Sequence, residues 1–108
     1  MSGTTEDALL DGKVRLRQPS EGLRAGLDAV MLAASVAARP GQVVLDAGCG
    51  PGGVFLCVLA RCPQVRAVAV ERDPGLAALA RENAALNGWA LKPPLEPRAY
   101  IAILVQSD

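Results

Sequence analysis

The sequence predicts an α/β fold: part of a doubly wound parallel sheet, preceded by a short N-terminal strand and helix. Three observations carry this. Gln42 to Leu45 is β-branched and apolar on both faces, as in a strand covered by helices on either side. It runs into the glycine-rich turn DAGCGPGG. A second stretch, VRAVAV at 65–70, ends at Glu71 and is followed by another helical run. Strand, glycine turn, helix, strand, helix make one right-handed βαβ unit and the helix after it.

Each element follows from local chemistry. Residues 1–9 are mostly polar and are expected to be disordered. Lys13-Val14-Arg15-Leu16-Arg17 alternates with period two, giving a strand with one basic and one apolar face. From Asp28 to Arg39 an alanine- and leucine-rich run predicts a helix, apolar around most of its surface and so largely buried. Pro40-Gly41 stops it. After the glycine turn, residues 54–61 continue as an apolar helix. Asp73-Pro74 opens the last helix with an N-cap residue and a proline at the first position. Leu76, Leu79, Asn83 and Leu86 would form its stripe, and Asn87-Gly88 its stop. Pro93, Pro94 and Pro97 forbid regular structure in their segment, and residues 98–106 read as one further strand.

Composition sets bounds on function. A chain of 108 residues makes at most one domain with a modest core. Eleven basic residues balance eleven acidic ones, so net charge selects no partner. Locally, Lys13, Arg15, Arg17 and Arg24 face a single acid, Glu21. Cys49, Cys57 and Cys62 form no CxxC, and there is no histidine, which argues against a metal site and for reduced thiols. The N-terminus lacks a signal-peptide pattern, and the longest apolar stretch is too short to span a bilayer. A cytoplasmic protein with no membrane contact is expected.

Gly48, Gly50 and Gly53 satisfy GxGxxG, with Glu71 about twenty residues on, the pattern of dinucleotide sites. Asp46 argues against a dinucleotide. It stands two residues before the first glycine, where a pyrophosphate would lie, and repulsion there costs about a kcal/mol or more. S-adenosyl-L-methionine fits the opposite way. It has no phosphate, its ammonium can be attracted by Asp46, and its carboxylate can use the N–H groups of the glycine turn. Glu71 can accept both ribose hydroxyls.

VLDAGCGPG at this point resembles the first motif of class I S-adenosylmethionine-dependent methyltransferases, and AVAVERDP resembles their second, acidic motif. The stretch QPSEGLRAGLDAVMLAASV, residues 18–36, resembles the N-terminal signature of bacterial tRNA(Val) adenine-N6 methyltransferases. It contains Gly26-Leu27-Asp28-Ala29-Val30-Met31-Leu32 at the family's distance from the glycine motif. The resemblance implies a Rossmann-like fold and tRNA modification. It spans residues 10–88, a partial S-adenosylmethionine-binding domain, and leaves 89–108 as a divergent tail. By this resemblance Asp46, Gly48, Cys49, Gly50 and Gly52 line the methionine end of the cofactor, and Glu71 holds the ribose. Gly26 and Asp28 lie in the segment closing over it. Lys13, Arg15 and Arg17 would meet tRNA phosphates, making binding salt-sensitive.

Bland readings stand beside these. Asp28 has the type and position of an N-cap, the basic face that of a solvated edge, and Cys49 is small enough for any tight turn. Tyr100 reads as packing rather than a base-stacking platform. The family's Asn-Pro-Pro-aromatic motif, which holds the target amine and stacks on the flipped base, is absent, since Lys92 precedes Pro93-Pro94 and Leu95 follows. No catalytic residue is therefore assigned, and the chain alone is expected to be inactive, a truncated or frame-disrupted version with about three of some seven strands. Two rival readings stay open: an NAD- or FAD-binding oxidoreductase fragment, and a non-catalytic remnant exposing Leu76, Leu79 and residues 65–70.

Overall fold

The computed structural model describes residues 3–22, 25–91 and 101–106. Its first described element is a hairpin. Strand β1, Thr4–Leu9, pairs antiparallel with β2, Val14–Pro19, through six register pairs from Thr4↔Pro19 to Leu9↔Val14. The expected disorder of residues 1–9 is thus corrected for 4–9. Their polar side chains face solvent in alternation, and the backbone is satisfied by β2. In β2, Val14, Leu16 and Gln18 are buried while Arg15 and Arg17 point outward, the two-faced pattern its sequence predicts.

Helix α1, Leu27–Ser35, is shorter than expected and is not buried all round. Only Ala29 and Ala33 are buried, while Leu27, Met31 and Leu32 are 73%, 64% and 57% exposed. The helix packs by its small-residue side, and nothing among the described residues covers its large side chains. It ends before Pro40 because the Ser35 hydroxyl donates to the Leu32 carbonyl and the Arg61 guanidinium donates to those of Ala34 and Val36.

The second sheet has four strands in the spatial order β3 (Val43–Ala47), β4 (Arg66–Glu71), β6 (Ile101–Gln106) and β5 (Ala90–Leu91). Strand β3, Val43–Ala47, leads through the glycine turn into α2, Gly53–Arg61, and then to β4, Arg66–Glu71, parallel to β3 with Val43↔Arg66 and Ala47↔Val70 in register. Helix α3, Pro74–Leu86, starts as the sequence predicts: Asp73 accepts from the Gly75 and Leu76 N–H groups, and Gly88 at φ 83 follows the end. Its buried face, however, is Ala77, Ala80, Asn83 and Ala84, not the leucine stripe. Alanines let the helix axis approach the sheet, and Leu76, Leu79 and Leu86 then lie half-buried at its flanks.

Strand β5, Ala90–Leu91, is not foreseen by the sequence, and β6, Ile101–Gln106, runs antiparallel to both β5 and β4. The sheet is therefore mixed, with one parallel pair. Pro93, Pro94, Pro97, Tyr100 and Arg24 lie outside the described residues. The core is centred on α2, whose Phe55, Leu56, Val58 and Leu59 are fully buried against Val14, Leu16, Val65, Ala67, Ala80 and Val105. The surface expected to be exposed at residues 65–70 is largely covered: Val65, Ala67 and Ala69 are buried. Exposure falls instead on β3 at the sheet edge, where Leu45 is 65% and Val43 50% exposed. No helix of the described residues is long and apolar enough to cross a membrane.

Candidate functional site

The glycine turn is fastened to the end of β4. The Gly48 and Cys49 N–H groups both donate to the Val70 carbonyl at 2.7 and 3.0 Å. Gly50 N–H donates to Glu71 Oε1 at 2.8 Å, and Asp73 N–H donates to Glu71 Oε2 at 2.9 Å. One carboxylate thus ties the turn after β3 to the start of α3, its negative charge aimed across the turn. Each oxygen keeps a further lone pair for an outside donor.

Two glycines are needed for distinct reasons. Gly52 caps α2 at φ +106, a left-handed conformation that other side chains resist, and a Cβ there would meet the Phe55 ring at 2.8 Å. At Gly53 a Cβ would stand 2.8 Å from that of Ala25. Its absence lets the N-terminus of α2 close on the segment leading into α1. That N-terminus carries no side-chain cap, leaving the positive end of the helix dipole beside the turn.

A cavity of about 270 Å³ lies over this turn, lined by Gly48, Cys49, Gly50, Glu71, Asp28 and Leu32 among others. That volume falls just below the usual range of ligand pockets, about 300–1,000 Å³. Five expected site residues are brought together here: Asp28, Gly48, Cys49, Gly50 and Glu71. Three are not among its lining. Gly52 stands behind it as the helix cap, and Gly26 is the N-cap residue of α1 in extended backbone. Asp28 is not the N-cap but sits in the first turn, where its Oδ1 accepts from the Gly26 N–H at 3.1 Å.

Asp46, the third, lies partly buried near the end of β3, and its Oδ2 is buried with no hydrogen-bond partner among the described residues. Burial raises its carboxyl above the ordinary range; the Phe55 backbone N–H opposes this, and the charge of Glu71 adds to the rise. Burying a carboxylate oxygen without a hydrogen-bond partner is an expensive arrangement. Burial, with Asp46 and Glu71 close by, pushes the Cys49 thiol up to about 12, so it sits in the turn as a neutral thiol.

The basic residues lie elsewhere. Arg15 makes a 2.8 Å ion pair with Glu6, and Arg17 approaches the same carboxylate at 3.6 Å. The Arg15 hydrogen bond holds the Glu6 carboxyl below its ordinary range. Lys13 lines a separate cavity of about 310 Å³ with Cys57 and Arg61. The hairpin face thus carries its own partial counter-charge. Among the described residues no group of three or more histidine, cysteine or acidic side chains gathers as a metal site would require.

Sequence reasoning missed Asn83 as part of this assembly. It is fully buried, and its Nδ2 donates to the Pro51 carbonyl of the turn at 2.8 Å and to the Arg17 carbonyl of β2 at 2.7 Å. The available signal was an asparagine on the inward side of a helix with a second, Asn87, four residues on.

Comparison with known proteins bears on the same residues. Residues 23–98 match the family described as precorrin methyltransferase domain. Among curated relatives, the tRNA1(Val) (adenine(37)-N6)-methyltransferases of Yersinia pestis (strain Pestoides F) and Yersinia pseudotuberculosis serotype O:1b (strain IP 31758) are each 39% identical over 69 residues. The enzyme of the same name from Yersinia enterocolitica serotype O:8 / biotype 1B is also 39% identical over 69 residues. Each match covers 63% of this chain and 28% of the relative, so the chain spans little more than a quarter of the length of those proteins. No solved structure matches.

Proposed function

This chain belongs to the precorrin methyltransferase domain family, and from that footing we propose that it is the donor-binding portion of an S-adenosylmethionine-dependent methyltransferase acting on tRNA adenine N6. In this reading β3 and β4 are two strands of a Rossmann-like, doubly wound sheet. The observation that carries the proposal is the Oδ2 of Asp46, without a partner among the described residues, beside a glycine turn that Glu71 closes from the other side.

The residues fit the donor by charge. Asp46 would attract the ammonium of the methionine end, directly or through water, and lose the penalty of its unpaired burial. The start of α2, which carries no side-chain cap, would receive the carboxylate, since the Gly48, Cys49 and Gly50 N–H groups already donate to Val70 and Glu71. Glu71 would accept the ribose hydroxyls on the lone pairs left free by Gly50 and Asp73 N–H. Asp28 and Leu32 would flank the donor from α1. Once bound, S-adenosylmethionine supplies a methyl group made electrophilic by its sulfonium. A dinucleotide suits the site less well, since Asp46 would oppose a pyrophosphate, whereas Glu71 could hold a ribose in either cofactor.

Holding the acceptor amine is not assigned to any residue of this chain, and Lys13, Arg15 and Arg17 are proposed only as a phosphate-facing surface. Cytoplasmic location is consistent with a tRNA substrate and is part of the same proposal. The test is thermal unfolding with millimolar S-adenosylhomocysteine or NAD. A rise with the first alone supports the reading; a rise with NAD alone, or with neither, defeats it.

A further inference from the structure

Strand β2 is an edge strand on one side only. Its inner edge pairs with β1, and the outward N–H and C=O groups of Arg15 and Arg17 would otherwise form an open edge. They are closed by a helix. Asn87 Oδ1 accepts from Arg15 N–H at 2.8 Å, while its Nδ2 donates to the Arg15 carbonyl at 2.7 Å. Asn83 repeats both bonds on Arg17, at 2.8 and 2.7 Å.

The match is geometric. Four residues of α-helix rise about 6 Å, and two residues of strand rise about 6.6 Å. Carboxamides four apart on α3 therefore meet alternate residues of β2, each presenting the donor and acceptor of a peptide group. The two asparagines differ in one bond. The remaining Nδ2 hydrogen of Asn87 stays within its own helix, on the Asn83 carbonyl at 2.7 Å, whereas that of Asn83 goes to Pro51.

We infer that Asn83 is a positioning residue that joins the glycine turn to the basic hairpin. It holds Pro51 so that Gly50 and Gly52 keep their conformation toward the donor, and it holds Arg17 in the same grip. Order gained at the turn on donor binding then passes to β2, and by reciprocity ordering of β2 favours donor binding. The link to the donor rests on the function proposed above; the link between turn and hairpin does not.

The test uses the full chain and two variants, Asn83→Ala and Asn87→Ala, with hydrogen exchange followed amide by amide. Without ligand, Asn83→Ala should speed exchange at Arg17 and at Gly52 by tenfold or more. Asn87→Ala should speed Arg15 and leave Gly52 within twofold of the parent. Equal effects of the two variants at Gly52, or no effect of either, overturn the inference. If Asn83→Ala does not fold, Asn83→Ser is compared in its place by the same criterion.

S-adenosylhomocysteine is then the probe. Its affinity should fall at least tenfold in the Asn83 variant and less than twofold in the Asn87 variant. Saturation should slow the Arg17 amide of the parent more than that of Arg15. If the parent binds none of it, the donor reading falls, and the ligand-free comparison alone decides the role of Asn83. If the parent binds it and both variants bind equally well, the positioning role is refuted while the donor reading stands.

Discussion

Replacing Asp46 by asparagine should strengthen the ligand-free fold and weaken donor binding at once. The raised carboxyl of Asp46 fixes the sign of the first effect. A group whose folded pKa lies above its unfolded value stabilises fully below the unfolded value, and that contribution is lost as pH rises through the folded one. At neutral pH the ionised Asp46 is therefore a burden, with Oδ2 buried and unpartnered and Glu71 adding repulsion. The substituted carboxamide keeps an oxygen for the Phe55 N–H and buries a neutral amide in place of a charge. Leaving a buried group unpaired costs about 1–3 kcal/mol, and more if charged. A net gain of about 1 kcal/mol is expected, because the new amide nitrogen is itself left unpaired. In a domain of this size that raises Tm by about 4–8 °C. The assay is thermal unfolding followed by circular dichroism from pH 7 down toward the ordinary aspartate value of 3.8. The advantage of the variant should shrink as pH falls, because Asp46 then becomes neutral on its own. In parallel, calorimetry should show lower affinity for S-adenosylhomocysteine. A variant no more stable at pH 7, or one whose advantage does not change with pH, would refute the electrostatic account. Equal affinity would refute the placing of the ammonium.

Other consequences can be measured separately. Glu71→Gln should lower S-adenosylhomocysteine affinity by about tenfold, equivalent to about 1.4 kcal/mol, because an amide cannot accept both from the protein backbone and from two ribose hydroxyls; calorimetry reads this. Gly53→Ala should cost about 1–3 kcal/mol in urea unfolding, since a methyl 2.8 Å from the Ala25 Cβ has no rotamer to escape into. Alkylation by iodoacetamide at pH 8 should reach half-buried Cys62 before Cys49 or Cys57, whose thiols burial pushes up, and peptide mapping gives the order. Purified chain incubated with S-adenosylmethionine and tRNA should transfer no methyl group, and radiolabel in the tRNA would show that an acceptor site has been overlooked.

What could be read in advance was what local chemistry determines. The glycine turn, the Asp73 cap with Pro74 behind it, and the Asn87-Gly88 stop need only neighbouring residues, and all three stand where the sequence puts them. What could not be read depends on partners distant in the chain. Thr4–Leu9 looks like a polar tail because it lacks an apolar pattern of its own, and its partner β2 is what makes it a strand. Helix α1 has apolar residues all round, yet only Ala29 and Ala33 are buried, with Val30 packed beside them on the core. On α3 the sequence suggests a leucine stripe where close approach to the sheet selects Ala77, Ala80 and Ala84. Of the site, the placing of Gly48, Gly50 and Glu71 around one cavity was legible, because strand ends in a parallel pair lie side by side. Asn83 was not, since its three bonds reach segments 32 and 66 residues away.

Asp46 and the glycines make different demands on any account of this turn. Tight geometry alone explains Gly52 and Gly53: one needs a left-handed backbone, the other room beside Ala25. Geometry does not explain Asp46, because a neutral residue at the end of β3 could accept from the Phe55 N–H without burying a charge. Local conflicts of this kind are expected where a site is kept for a ligand rather than for stability. A purely structural turn accounts for the glycines and leaves the carboxylate as a cost that the Phe55 N–H offsets only in part. A site for a cationic, phosphate-free donor accounts for both, since the charge that burdens the empty fold is the one that would attract the ammonium. The two accounts separate on the Asp46→Asn variant, because only the second ties the gain in stability to a loss of binding.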